Sequence, residues 1–248
     1  VIGSQQSDTL SGADSNAEWW LETRQYTYKA EGRELVFSNI ELLLGGNGDD
    51  WFHFADGAVF ADSIDGGLGI DTIDYTDYAT GIAVTLNAVG SLDGMSGWAT
   101  DLNGAGIALT GYFTNIDVII GGHGSDKLTG ANQSAIFEID GNNRYLSQGF
   151  ELAFSSFEQL VGGNGDDTFE FANKSFFTGT IDGGAGQDWL DFSAYTSSII
   201  STLLAFDENG YIGDIHTAGV AVISGGFTGI DGIEGSSVSG VGGDKLYA

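Results

Sequence analysis

The nonapeptide Gly45-Gly46-Asn47-Gly48-Asp49-Asp50-Trp51-Phe52-His53 returns as Gly162-Gly163-Asn164-Gly165-Asp166-Asp167-Thr168-Phe169-Glu170, identical at seven of nine positions. The shared pattern is Gly-Gly-x-Gly-x-Asp-x-(large apolar)-x. Three glycines in four residues make a turn whose backbone carbonyls can crowd inward, because no Cβ stands in the way. The sixth residue adds a carboxylate. The eighth, Phe52 or Phe169, belongs to a strand whose apolar side chain points into a core.

Outward from these two copies the hexamer recurs at Gly66–Asp71 (GGLGID), Gly121–Asp126 (GGHGSD) and Gly183–Asp188 (GGAGQD). Ser239–Asp244 (SGVGGD) lacks only the first glycine, and Gly3–Asp8 (GSQQSD) keeps the first glycine and the aspartate. One Gly-rich hexamer is weak evidence, since such turns are common. Five complete copies and two relics point to a repeat architecture.

A longer period encloses the short one. Gly45 leads to Gly162 and Ile64 to Ile181, an offset of 117, while Asp8, Asp126 and Asp244 are spaced by 118. The chain therefore reads as residues 1–118, then 119–236, then the opening of a third unit at 237–248. Each unit reads as β, with strands around Leu35–Phe37, Ile40–Leu44, Trp51–Phe54, Thr72–Tyr75 and Ile82–Leu86, and counterparts at Phe150–Phe154, Phe157–Val161, Thr168–Phe171 and Trp189–Phe192. No helix-length window shows 3.6-residue periodicity. Within each unit the two complete motifs start 21 residues apart (45 to 66, and 162 to 183), room for a strand, a far-side turn and a returning strand. The expected fold is all-β: a parallel β-solenoid whose coils turn at Gly-Asp corners. Ala88–Thr110 and Phe206–Ser224, Gly-rich and different between the copies, read as irregular loops projecting from one edge and as carriers of specific contacts.

A net charge of −28, from 35 acidic and 7 basic residues, argues against nucleic acid and anionic membrane surfaces as partners. The 16 Phe, 9 Tyr and 5 Trp argue for a packed core rather than disorder. A folded chain this acidic needs its charge neutralised, and bound cations do that directly. There is no Cys and no Pro among the 248 residues, so disulfides contribute nothing and Gly, Asn and Asp make the turns. No apolar run reaches the roughly 18 residues that would span a bilayer. The chain opens inside a motif relic and neither end reads as a cap, so both ends are expected to be cuts within a longer protein or stacking faces between units.

Calcium takes six to eight oxygen ligands and accepts backbone carbonyls. One such turn supplies half a cage, and its neighbour along the stack supplies the rest. The candidate metal ligands are the first, third and sixth residues of the motifs: Gly45, Asn47 and Asp50; Gly66, Leu68 and Asp71; Gly121, His123 and Asp126; Gly162, Asn164 and Asp167; Gly183, Ala185 and Asp188; and Asp244 of the relic. A 21-residue coil stacks Asp50 beside Asp71 and Asp167 beside Asp188, with a shared Ca²⁺ expected between each pair. Unneutralised, such aspartates repel one another, so binding and folding should be coupled. Asp49, Asp166, Asp74 and Asp191 read as solvated.

These residues carry a resemblance. The chain resembles the repeats-in-toxin (haemolysin-type) calcium-binding proteins, and the stretches Gly162–Phe171 and Gly179–Ser198 are similar to the long repeats of very large bacterial surface proteins and adhesins. The entries into the motifs, Phe157–Gly163 and Thr114–Gly122, fit that type. The resemblance implies a parallel β-solenoid with several Ca²⁺ in its turns, one-step bacterial secretion, and folding by external calcium. Having few tandem nonapeptides, the chain should hold discrete sites rather than a continuous ladder of ions.

No enzyme is expected. His53, His123 and His216 share no metal-binding spacing, and neither HExxH nor GxSxG occurs. His53 reads as outward and solvated. Trp19-Trp20, Trp51, Trp98 and Trp189 could form a sugar-binding stack, but Trp51 and Trp189 read as core filling and Trp98 as an exposed contact. Arg24, Lys29 and Arg33 form a basic cluster, read as a solvated strand face with a small docking patch as the alternative. The expected function is an extracellular structural segment, an adhesin stalk or fibre at a bacterial surface, partnered by neighbouring repeats of the same or an identical chain. The alternatives are a module binding glycans or cell surfaces through the long loops, and an accessory folding and secretion domain for an enzyme elsewhere in the parent chain.

Overall fold

The computed structural model describes residues 1–102, 108–237 and 243–247. The protein is all-β, built of parallel and mixed sheets, with no helix among the described residues. It divides into two compact units, residues 1–126 with 150–156, and residues 127–149 with 157–248.

In the first unit one sheet runs in the order Thr9–Ser11, Leu42–Gly46, Phe60–Gly67, Ala108–Ile116, Met95–Asp101, Ile82–Val89. The other runs Arg33–Phe37, Tyr26–Ala30, Ala17–Leu21, Asp50–Phe54, Thr72–Asp74, Val118–Ile120, Phe150–Ser155. In the second unit the corresponding orders are Lys127–Thr129, Gln159–Gly163, Thr180–Gly184, Phe227–Ile230, Gly210–Thr217, Ile200–Asp207, Lys245–Tyr247, and Arg144–Ser147, Ile136–Ile139, Thr168–Phe171, Trp189–Asp191, Gly232–Glu234.

The strands around the motifs pair in parallel, in a register that restates the sequence spacing. Leu43 faces Ile64 and Gly46 faces Gly67; Leu160 faces Ile181 and Gly163 faces Gly184. Beyond each turn Trp51 faces Thr72, and Thr168 faces Trp189. All four pairings advance by 21 residues. Equivalent side chains therefore stack in columns: Trp19, Phe52 and Ile73 in one unit, Phe137, Phe169 and Leu190 in the other, all fully buried. Trp19 stacks on Phe52 at 5.6 Å between ring centres, and Phe137 on Phe169 at 4.7 Å. Like-on-like stacking of flat rings is what an in-register parallel sheet permits.

Two expectations are corrected. Much of the Gly-rich stretches read as irregular loops is strand. Met95–Asp101 pairs antiparallel with both Ile82–Val89 and Ala108–Ile116, and Gly210–Thr217 forms a hairpin with Ile200–Asp207. Residues 103–107 lie outside the described residues. Glycine here makes room rather than breaking the strand. A Cβ on Gly97 would fall 2.8 Å from the Phe113 ring and 2.3 Å from the Thr85 carbonyl oxygen. One on Gly213 would meet the Phe227 ring at 2.8 Å and the Thr202 carbonyl oxygen at 2.4 Å. Secondly, Trp51 and Trp189 are not core filling; they are 42% and 46% exposed. Strand alternation is the reason: with Asp50 and Phe52 inward, Trp51 must point out.

Phe113→Ala removes a fully buried ring that rests on Gly97. In urea unfolding it should cost about 3–5 kcal/mol. A loss under about 1 kcal/mol would mean that the hairpin contributes little to the core.

Candidate functional site

The first-position glycines and sixth-position aspartates come together. Gly45, Gly66, Gly121, Gly162 and Gly183 are buried, as are Asp50, Asp71, Asp126, Asp167 and Asp188. In each motif the aspartate's Oδ2 lies above the α-carbon of its own first glycine. A Cβ would meet it at 2.5 Å on Gly45, Gly66 and Gly162, at 2.7 Å on Gly183 and at 2.8 Å on Gly121. On the same side the next turn along the stack places a carbonyl oxygen: Gly66 over Gly45, and Gly183 over Gly162, where a Cβ would lie 2.1 and 2.3 Å from it. The first glycine is thus required twice over, by a carboxylate and by a carbonyl. The third-position residues Asn47, Leu68, His123, Asn164 and Ala185 turn their side chains to solvent.

Each buried aspartate is also tied to its neighbour. The Asp50 amide donates to Asp71 Oδ1 at 2.8 Å, and the Asp167 amide to Asp188 Oδ1 at 2.8 Å. The line continues through residues that the motif search missed. The Asp71 amide donates to Asp117 Oδ2 and the Asp188 amide to Asp231 Oδ2, both at 2.9 Å; the Asp8 amide donates to Glu41 Oε2 at 2.8 Å. A sequence signal for these acids exists. Asn39-Ile40-Glu41, Asn115-Ile116-Asp117 and Gly229-Ile230-Asp231 share a turn residue, an isoleucine and an acid. Asn39, Asn115 and Gly229 all have positive φ (53°, 54° and 61°), and their carbonyl oxygens cover Gly3, Gly66 and Gly183. Asn tolerates this left-handed geometry better than most residues.

One side of this line has no hydrogen-bonding partner. Oδ2 of Asp71, Asp167 and Asp188 is buried and unpaired. The Ala17 amide and Trp19 indole face Asp50 and favour its charged form, but neither Asp50 oxygen reaches a partner within hydrogen-bond geometry. Burial pushes these carboxyls up, to about 7 for Asp50 and Asp167, about 8 for Asp71 and about 6 for Asp188. Asp117 rises to about 6, again chiefly by burial. Withdrawn oxygens without donors call for a proton or a cation.

Asp126 and Asp244 are different. Asp126 accepts the Ile82 amide on Oδ1 at 2.8 Å and the Gly122 amide on Oδ2 at 2.7 Å, so both oxygens are engaged. Asp244 is exposed and accepts from the Ile199 amide, the Ser236 amide and the Ser236 hydroxyl; residues 239–242 of its motif lie outside the described residues. Asp49 and Asp166 are exposed, yet they brace the stack: Asp49 Oδ1 accepts the Ile70 amide and Asp166 Oδ1 the Gln187 amide, both at 2.9 Å. Asp74 is part-buried rather than solvated. Burial opposes its ionisation, but hydrogen bonds from His53, Thr76 and Trp51 outweigh that and hold the carboxyl at about 2.

The orphaned oxygens fit a hard cation. Among the described residues no three acidic or histidine side chains converge on one point, so an ion here would draw on backbone carbonyls and water beside one or two carboxylates, a donor set that suits calcium. No family model and no curated protein matches this chain.

The raised carboxyls set a pH dependence for the metal-free chain. Asp71 binds its proton more tightly folded (about 8) than unfolded (3.8). In chelator, stability should therefore be greatest at the acid end of that window and fall as pH rises through it. Thermal melts in EDTA across this range test the sign, and Asp71→Asn should flatten the slope. A chelated protein that gains stability toward pH 8 would contradict it.

Proposed function

We propose that the chain is a calcium-stabilised parallel β-solenoid, a structural repeat segment of the repeats-in-toxin kind, serving as stalk or fibre outside a bacterial cell. The observation that carries this reading is the set of buried aspartate oxygens without donors, repeated on turns 21 residues apart and roofed by glycine. Parallel registers that advance by one such step support a coiled path.

Asp50, Asp71, Asp167 and Asp188 would hold the ions, with carbonyls of the glycine turns beside them. The cation supplies the charge that buried carboxylates lack, and so converts a destabilising stack into a stabilising one. Where calcium is scarce, as inside a cell, 35 acidic residues against 7 basic ones favour an extended chain suited to export. Outside, calcium would drive folding. No catalytic role is assigned: the aspartates of the turns are withdrawn from solvent, and His53 is held between indoles by Asp74.

Calcium titration monitored by circular dichroism and calorimetry tests the reading. Several ions should bind as β-structure and a cooperative melt appear, and Asp71→Asn or Asp167→Asn should weaken binding about tenfold or more. Asp126→Asn, whose carboxylate is already satisfied by amides, should weaken it less. An identical melt with and without chelator at neutral pH would overturn the proposal.

A further inference from the structure

The outer face of the first unit carries side chains that the turns do not explain. Glu18, Trp51 and Thr72 face one another across three parallel strands, and beside them Trp20, His53 and Asp74 do the same. His53 lies between two indoles, 4.2 Å from Trp20 and 5.4 Å from Trp51 between centres, with interplanar angles of 15° and 6°. The stack is held at three polar edges. Trp51 Nε1 donates to Asp74 Oδ2 at 3.0 Å, Trp20 Nε1 donates to Glu18 Oε2 at 3.0 Å, and His53 Nδ1 lies 3.3 Å from Asp74 Oδ2. The rings are fixed, yet Trp51 remains 42% exposed and walls a cavity of about 600 Å³.

The second unit serves as an internal control. At the positions of Trp20, His53 and Asp74 it carries Glu138, Glu170 and Asp191, again in register across three strands. Like charges directly opposite one another weaken a sheet; Arg144, opposite Glu138 on the next strand, pairs with its carboxylate, and this unit folds without aromatic rings in the row. The scaffold therefore does not require an aromatic stack at these positions, and the first unit's stack calls for another explanation.

From this we infer that the Trp51 face is a binding site for a neutral saccharide. An indole offers a flat surface with a negative π-face, and the C–H face of a pyranose ring is the complementary surface. The rim supplies what ring hydroxyls need: the Glu18 and Asp49 carboxylates accept, and Asn16 and the Lys29 ammonium donate. Asp49 and Asn16 are held in place by each other, the Asp49 amide donating to Asn16 Oδ1 at 3.1 Å. The volume lies in the range of small-ligand sites. Lys29 sits 4.8 Å above the Trp20 ring and fills the cation–π position on that indole; displacement by choline would reveal a cationic ligand at Trp51. An anionic glycan is disfavoured by the rim carboxylates and the net charge of −28. The inference does not rest on calcium, and it places binding on a sheet face rather than on the loops.

The test uses the full chain in calcium buffer, with neutral oligosaccharides of glucose, mannose and galactose as probes, and choline and a sulfated oligosaccharide as competitors. Tryptophan fluorescence should change saturably with at least one neutral probe, and saturation-transfer NMR should place the sugar on the Trp51 ring. Trp51→Ala should lower affinity at least about tenfold, while Trp51→Phe, which keeps a flat ring, and Trp189→Ala on the other unit should stay within about threefold. Circular dichroism reports whether each variant keeps its fold, and the NMR contact with Trp51 in the unaltered chain is read independently of any variant. No binding by any neutral probe, displacement by choline or the sulfated oligosaccharide, a sugar contact away from Trp51, or a folded Trp51→Ala that binds normally would each overturn the inference. None of these results would disturb calcium-dependent folding.

Discussion

A carboxylate buried beneath a glycine turn, at Asp71, Asp167 and Asp188 with one oxygen on a backbone amide and the other facing no donor, is the constraint to which the motif regions of this protein answer. It demands glycine at the first motif position, because a Cβ there would strike the aspartate and the carbonyl of the next turn together. It sets the step between turns, because the amide that donates to Asp71 belongs to Asp50 and the one that donates to Asp188 belongs to Asp167, 21 residues earlier in each case. It also creates an electrostatic debt. Burial, with repulsion from neighbouring carboxylates, lifts these groups toward neutrality, and a proton or a cation at the unpaired oxygens would relieve it.

Inward and outward positions then serve separate ends. Inward residues repeat almost without change: Phe52 and Phe169, Ile64 and Ile181, Ile73 and Leu190 all occupy the core. Outward residues on the same strands vary freely between the units, because solvent-facing positions are not bound by packing. Trp51 corresponds to Thr168, Thr72 to Trp189, and the Trp20–His53–Asp74 row to three carboxylates. A scaffold of this kind can carry different surface chemistry on each unit while the turns hold the backbone.

The acids at Glu41, Asp117 and Asp231 extend the same logic past the glycine motif. Each receives an amide from the turn before it, and each follows a residue with positive φ whose carbonyl covers a motif glycine. They let a motif turn stack against a strand that has no Gly-Gly pair at that point. The ladder therefore continues where the nonapeptide is missing, and the short motif understates the stack's extent.

By itself the sequence determined the all-β class, the 21-residue step, the 117–118-residue repeat and the pairing of first-position glycine with sixth-position aspartate. These follow from local rules: glycine where the backbone needs room, apolar residues at alternate positions, and recurrence at fixed spacing. Only the tertiary structure decided three other matters. Gly97 and Gly213 lie in strands where Phe113 and Phe227, on the neighbouring antiparallel strands, pack over them. Which aspartates keep an unpaired oxygen depended on the amides brought near by neighbouring turns, so that Asp126 is satisfied and Asp71 is not. The outer aromatic face arises because Trp20, His53 and Asp74, up to 54 residues apart (20 to 74), are brought level by parallel register. Spacing along the chain carries the period of a fold, whereas the partner that a side chain meets across strands is set by packing.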